Sequence, residues 1–321
     1  TILAPLVVDR LPLWLQSAAV GADVSHADVF WRCFIITLTV TLPATLPFGA
    51  MMPLAIKVMS RARELDPAAA VGKAYAINTV GAIVGSFAGG FIILPLLGVE
   101  VGIKAIGGAL VVFAAFGRSA PVRLRAAAVV ALAIAVVAPR WNYDRWTAGL
   151  FRMYLARSVF ADGWTTQAEV LFHADGVASS VTVDRMNTSG NITLKVNGKV
   201  DASDHGDMPT QILSGLLPAL LHPGPKEALV IGYGSGVTPG ALLQTQIDRV
   251  VVAEVESEVY RASNRYFAHV NHTPHLDPRA ELVVDDGRNY LLIRREDFDL
   301  VISETGLRYS AHTARQARVS S

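Results

Sequence analysis

The sequence predicts an apolar α-helical region followed by an α/β domain on a mostly parallel sheet, with a small antiparallel β unit leading into that domain. Three observations carry this. Of 321 residues, 52% are hydrophobic and only 17% charged, and the mean hydropathy is +0.39. Several long runs before residue 140 are almost free of charge, whereas short apolar runs after residue 228 end in glycines or carboxylates. A soluble domain usually carries about 25% charged residues, so one water-soluble globule does not fit. A disordered chain would be short of apolar residues, and this length suggests roughly two domains. The net charge of +1 hides an asymmetry: residues 1–140 hold 11 basic and 6 acidic residues, the remainder 17 and 21. No basic tract points to nucleic acid. The single cysteine, Cys33, excludes an internal disulfide. The chain opens on Thr1 in mid-pattern without an intact signal peptide, which reads as a fragment.

A hydrocarbon core of about 30 Å needs ~20 apolar helical residues. Phe34–Ile56 and Ala74–Leu97 meet this; Val101–Phe116 and Leu124–Ala138 are shorter but nearly uncharged. Residues 1–140 therefore read as a transmembrane helical region of about four spans in a lipid bilayer, because so many apolar helices in succession would otherwise lack cover. Gly81, Gly85 and Gly89 recur along one side of the second run, a helix-packing signal. A substrate path would want ionisable residues inside the runs, and only Asn78 and Lys104 are found, near the ends, so that role is not favoured. Lys57, Arg61, Arg63 and Lys73 place the first loop in the cytoplasm. If Leu124–Ala138 lies along the interface the back half is cytoplasmic, which is the reading adopted; if it crosses, the back half is outside.

Residues 141–210 form a junction and a β-hairpin unit. Trp141, Tyr143, Asp144, Arg145 and Trp146 make an interfacial start. Ala168–His173, Ser179–Asp184 and Ile192–Val196 then alternate between turn-formers such as Asn197-Gly198. Gln211–Leu221 reads as a helix stopped by His222-Pro223.

Residues 211–321 carry the chemistry. Ala228–Ile231 reads as a buried parallel strand, followed at once by Gly232-Tyr233-Gly234-Ser235-Gly236 and a helix near Thr238-Pro239. A second strand ends in Glu254, 22 residues after Gly232; a third ends in Asp285-Asp286-Gly287, and a fourth, Asp299–Ser303, ends in Glu304. The pattern is Rossmann-like, of the S-adenosylmethionine methyltransferase type, with ligands expected at the carboxyl ends of the strands. Glycines let the backbone approach a nucleoside closely, and Glu254 can accept both ribose hydroxyls. The third glycine falls one position earlier than in the dinucleotide pattern, which favours an adenosine-type ligand over NAD.

The order of motifs resembles the polyamine aminopropyltransferases (spermidine synthases). The matching pieces are Asp207-Met-Pro-Thr-Gln211, Leu229-Val-Ile-Gly-Tyr-Gly-Ser-Gly-Val-Thr238, Val252-Ala-Glu-Val-Glu256, Val283-Val-Asp-Asp-Gly-Arg-Asn-Tyr-Leu291 and Asp299-Leu-Val-Ile-Ser-Glu304. Pro47-Phe-Gly-Ala-Met-Met-Pro53 and Gly72–Ile83 resemble the bacterial proteins in which such a domain is fused to transmembrane helices, implying a multi-pass protein of the inner membrane. The resemblance implies transfer of an aminopropyl group from decarboxylated S-adenosylmethionine to an amine such as putrescine. It implies no tightly bound cofactor and no metal. It places Gly232, Gly234, Ser235 and Gly236 along the nucleoside, Glu254 on its ribose, and Asp286 with Gly287 by the adenine. Gln211 and Asp207 would bind the amine, and Glu304 would take the catalytic position.

Two departures stand out. Ser235 replaces an aspartate, and Glu304 replaces the catalytic aspartate and is followed by Thr305-Gly306-Leu307-Arg308 rather than Ser-Asp-Pro. The stretch Thr305–Ser321 lacks apolar periodicity, so the α/β domain reads as incomplete at its C-terminus. An S-adenosylmethionine-dependent methyltransferase fits the glycine turn and Glu254 equally. Ser235 and the tail would suit a catalytically degenerate nucleotide-binding module. The β unit and Gln211 favour the aminopropyltransferase. A homo-oligomer is compatible with all three. The row His269, His272, His275 reads as a solvated loop, and Asp201, Asp204, His205 and Asp207 read as a solvated turn or an acidic collar for a cationic amine.

Overall fold

The computed structural model describes residues 26–62, 66–115, 121–137, 140–141, 143, 147, 168–294 and 296–304. The chain divides into two compact units, one formed mainly by residues up to 146 and one mainly by residues from 163 onward.

The first unit is helical. Helix α1 (His26–Ala62) contains Pro43, Pro47 and Pro53. Each interior proline lacks the N–H that would bond the carbonyl four residues back. Thr39 and Thr41 hydroxyls each donate to the carbonyl one turn back at 2.7 Å. Helix α2 (Pro67–Ala88) begins with Asp66, whose Oδ2 accepts from Ala68 N at 3.2 Å. It runs through a π-helical turn, Gly89–Ile93, into α3 (Leu94–Ala115). At Gly98 the backbone leaves the helix with φ 71° and ψ 175°, a conformation suited to glycine. The break falls between the second and third apolar runs read from the sequence. Helix α4 (Val122–Val137) packs on α3, and α1 packs on α2.

Phe48, Ile83, Phe87, Phe91, Leu96 and Phe113 are exposed. Among the described residues, two stretches, Phe30–Arg61 and Pro67–Ala115, are long and apolar enough to cross a membrane. The second contains the expected run Ala74–Leu97 and that from Val101 as far as Ala115. The glycine stripe does not act as expected: a side chain at Gly81, Gly85 or Gly89 would meet nothing within 4 Å. Close packing occurs instead at Gly102, where a side chain would begin 3.1 Å from Ile93 Cγ2, and at Gly108, where one would begin 3.3 Å from Leu132 Cδ2. Glu100, which the sequence reading passed over, is buried and accepts from Lys104 Nζ at 2.6 Å and from the Tyr143 hydroxyl at 3.3 Å.

The second unit opens with an antiparallel meander in chain order: β1 (Ala168–Asp175), β2 (Ser180–Met186), β3 (Ile192–Val196) and β4 (Lys199–Ser203). Asn197 and Gly198 both adopt positive φ, 49° and 74°, as a tight two-residue hairpin requires. Val181, Val183, Leu194 and Ala202 alternate into the core. Strand β4 was not expected; it takes in Asp201, which pairs with Lys199 at 2.6 Å.

Helix α5 (Met208–Leu221) leads to β5 (Glu227–Ile231), α6 (Val237–Leu242), β6 (Arg249–Glu254) and α7 (Ser257–Tyr266). Next come β7 (Ala280–Val284), α8 (Gly287–Arg294) and β8 (Leu300–Ser303). All four strands are parallel in the order β7-β6-β5-β8. Winding therefore reverses between β5 and β8, the kind of position at which open α/β sheets bind ligands, outside the carboxyl ends of the strands. At the opposite end of the strands Arg249 ties Glu227, Glu281 and Glu296 together at 2.7–3.1 Å.

The meander is fixed to the α/β part through buried Glu256. Its Oε2 accepts from the backbone N–H of Ala178 and of Ser179, both at 3.0 Å, while the Tyr266 hydroxyl donates to Leu171 O at 2.8 Å. Replacing Glu256 with alanine would leave two N–H groups without their acceptor, at a cost of about 2–4 kcal/mol. Chemical denaturation of Glu256→Ala should show that loss; an unchanged midpoint would mean that the clamp is dispensable.

Candidate functional site

The turn after β5 has positive φ at every second residue: Gly232 (92°), Gly234 (53°) and Gly236 (82°). The resulting close backbone path faces β8, because a side chain at Gly234 would begin 3.2 Å from Glu304 Oε2, and one at Gly232 would begin 3.6 Å from Glu304 Cβ. Backbone bonds join the strand exits, with Gly232 N donating to Ala253 O and Glu304 N to Ile231 O, both at 2.9 Å. Glu254, at the end of β6, accepts from Tyr233 N through Oε2 and from Glu256 N through Oε1, both at 2.9 Å. Each carboxylate oxygen keeps a further lone pair, so the fixed group can still accept a pair of hydroxyls. Asp285 N donates to Glu254 O at 3.1 Å, which brings the exit of β7 alongside.

Asp286 is exposed, and its Oδ1 accepts from Arg288 N and Asn289 N at 3.0 Å, capping α8. Gly287 serves packing: a side chain there would begin 2.6 Å from Ile231 Cγ2. Gly236 likewise makes room for the Tyr233 ring, 2.8 Å from where a Cβ would stand. Ser235 is fully buried, and its hydroxyl donates to Gln211 Oε1. Gln211 itself is a brace, for its Nε2 donates to Ser203 O at 3.0 Å. Both ends of the amide expected to meet an amine are therefore engaged within the protein. Asp207 also turns to Ser203, accepting from its N at 3.0 Å and from its hydroxyl. Asp204 accepts from Ile192 N at 2.8 Å and lies 3.2 Å from His269 Nε2, so the acidic loop is tied into structure. Residues 305–321 lie outside the described residues.

Glu304 is the most perturbed acid of the group. Loss of solvent around it pushes its carboxyl up to about 7, the charges of Asp207 and Glu254 add to this, and a hydrogen bond with Thr238 opposes it. The charges of Asp207 and Glu254 thus reach Glu304, an arrangement suited to a cationic ligand and to proton transfer near neutral pH.

Sequence reasoning missed several supports. Ser263 Oγ donates to Gly234 O at 2.5 Å, buried Asn271 donates from Nδ2 to Ser235 O at 2.9 Å, and Tyr233 donates to Asn264 Oδ1 at 2.5 Å. Only the glycine spacing hinted at a tight turn; these partners lie too far along the chain to be read from a local pattern.

The raised pKa of Glu304 has a stability consequence. Glu304 is neutral in both folded and unfolded chains below its ordinary value of 4.5. As pH rises from there, the unfolded chain ionises first, so stability falls until the folded group also ionises at about 7. The loss amounts to about 3 kcal/mol. Denaturation at acidic and at mildly alkaline pH should show this decline in the wild type and its absence in Glu304→Gln. Identical pH dependence in both would contradict the burial-driven shift.

Residues 211–306 match the family model of the spermine/spermidine synthase domain. The polyamine aminopropyltransferase of Thermoanaerobacter sp. (strain X514) is 32% identical over 90 residues, 28% of this chain and 32% of that protein. The spermidine synthase of Dictyostelium discoideum is 25% identical over 138 residues, 43% of this chain and 48% of that protein. Among solved structures, spermidine synthase from Thermotoga maritima aligns with 42% of this chain and 46% of that chain, at 24% identity and a TM-score of 0.39. The chain spans between about a third and a half of the length of these relatives. The segment 211–306 is thus similar to the spermine/spermidine synthase domain, and the relatives that share it are polyamine aminopropyltransferases and spermidine synthases.

Proposed function

We propose that this chain is a membrane-anchored aminopropyltransferase that moves an aminopropyl group from decarboxylated S-adenosylmethionine to an amine such as putrescine. The observation that carries the reading is the meeting of the glycine turn, Glu254 and Glu304 at the carboxyl ends of neighbouring strands, inside the segment that matches the synthase domain. The nucleoside would lie over Gly232–Gly234 with its ribose hydroxyls on Glu254, and Asp286 would stand at the base end. The amine lone pair forms a bond to the methylene beside the sulfonium. The carbon–sulfur bond breaks, and its electron pair neutralises the sulfur, leaving methylthioadenosine. The new ammonium then releases a proton, and Glu304, poised near neutrality, is suited to accept it. Asp207, whose charge reaches Glu304, would attract the cationic substrate. Holding amine and methylene in line supplies the rest of the rate gain.

The apolar helices would anchor the chain as a multi-pass protein of a bacterial inner membrane. Lys57, Arg61 and Lys73 flank the α1–α2 connection and support a cytoplasmic position for it; the catalytic part would face the same compartment.

Calorimetric titration of the full-length protein should show binding of decarboxylated S-adenosylmethionine and methylthioadenosine in preference to S-adenosylmethionine. The reverse preference would indicate a methyltransferase, and no binding a degenerate module. Glu254→Ala should abolish nucleoside binding, whereas Glu304→Gln should keep binding and stop turnover. Equal loss of binding in both variants would overturn the assigned roles.

A further inference from the structure

Thr238, fully buried in α6, stands between two oxygens. Its hydroxyl lies 2.7 Å from the backbone oxygen of Gln211 and within hydrogen-bond reach of Glu304 Oε1. A hydroxyl has one hydrogen to give, although it can also accept; a carbonyl oxygen can only accept. A bond to Gln211 therefore uses the Thr238 hydrogen, and Glu304 must then be the donor, which requires a protonated acid. Once ionised, Glu304 can only accept, so the Thr238 hydrogen has to turn from Gln211 to the carboxylate. The proton leaving Glu304 passes to solvent or to a bound amine, and no other bond is broken. The charged groups acting on Glu304 are Asp207, at the start of α5, and Glu254, at the end of β6. Both are acidic and oppose its ionisation, while Thr238 provides a hydrogen bond that favours it. Gln211 is also the residue whose amide holds Ser203 at the end of β4 and Ser235 in the glycine turn.

We propose that Thr238 is a positioning residue that couples the proton state of Glu304 to the brace at Gln211, giving its single hydrogen to one or the other. The role of this coupling in turnover rests on the transferase reading; the coupling itself does not. In the neutral state α5 is tied to α6 through Thr238 and Gln211. In the ionised state that tie is exchanged for one between α6 and the end of β8.

Infrared difference spectra of the full-length protein, recorded across neutral pH without ligand, give the direct test. The carboxyl band of Glu304 is identified by its loss in Glu304→Gln. Thr238→Val keeps the shape and removes the hydroxyl, so the band should titrate about one pH unit higher, a roughly tenfold gain in proton affinity. Thr238→Ser should restore the wild-type midpoint. If Thr238→Val does not fold, Thr238→Cys, a weaker donor, should give an intermediate midpoint. An unmoved midpoint in the valine or cysteine variant, or a serine variant shifted as far as valine, would overturn the proposal. Aminopropyl transfer is assayed in parallel: a Thr238-dependent titration without any transfer would sink the transferase reading and leave the coupling standing.

Discussion

Strand β6 ends in a carboxylate that receives N–H groups from two different loops, Tyr233 from the turn after β5 and Glu256 from its own exit. Charge-assisted hydrogen bonds of this kind are stronger than neutral ones, and here they fix the spacing of two strand ends. The glycine turn can then follow a path of alternating positive φ that other residues would resist. Ser263 holds the Gly234 carbonyl from α7, and Asn271 holds that of Ser235 from the loop beyond it. Glu304, delivered by the strand on the other side of β5, consequently faces a backbone without side chains.

That geometry sets the electrostatics. Asp207 and Glu254 act on Glu304 across the strand ends, loss of solvent acts on it as well, and the result is a carboxyl pushed up to about 7. A cation bound there would relieve the repulsion that Asp207 and Glu254 exert on Glu304. The same site therefore favours a positively charged ligand and holds a group able to take its proton. Buried Gln211, Ser235 and Thr238 link this acid to the helix and turn around it, so the acid is not an isolated side chain on a loop.

Much of this organisation was legible in the sequence. The strands of the parallel sheet read clearly because each is a short apolar run closed by a glycine or a carboxylate, and the break at Gly98 showed as a gap between apolar runs. Side-chain direction was not legible. Ser235 and Gln211 have the spacing of ligand-binding residues, yet they bond to each other, since the tight turn points Ser235 into the core. Gly236 and Gly287 were assigned to the nucleoside, whereas both give way to neighbouring side chains. Strand β4 alternates polar and apolar residues but escaped because Asp201 was read with Asp204, His205 and Asp207 as one acidic turn, and Thr238, Glu256 and Asn271 escaped because the groups they hold lie 27–78 residues away. In the helical unit, regular glycine spacing implied a contact, but the observed close approaches fall at Gly102 and Gly108.

The most direct test of the central claim is a structure of the full-length protein determined with methylthioadenosine. The ribose should lie with both hydroxyls within hydrogen-bond distance of Glu254, its nucleoside over Gly232–Gly234 and its sulfur turned toward Glu304. Ligand density elsewhere on the molecule, with the exits of β5, β6 and β8 empty, would contradict it.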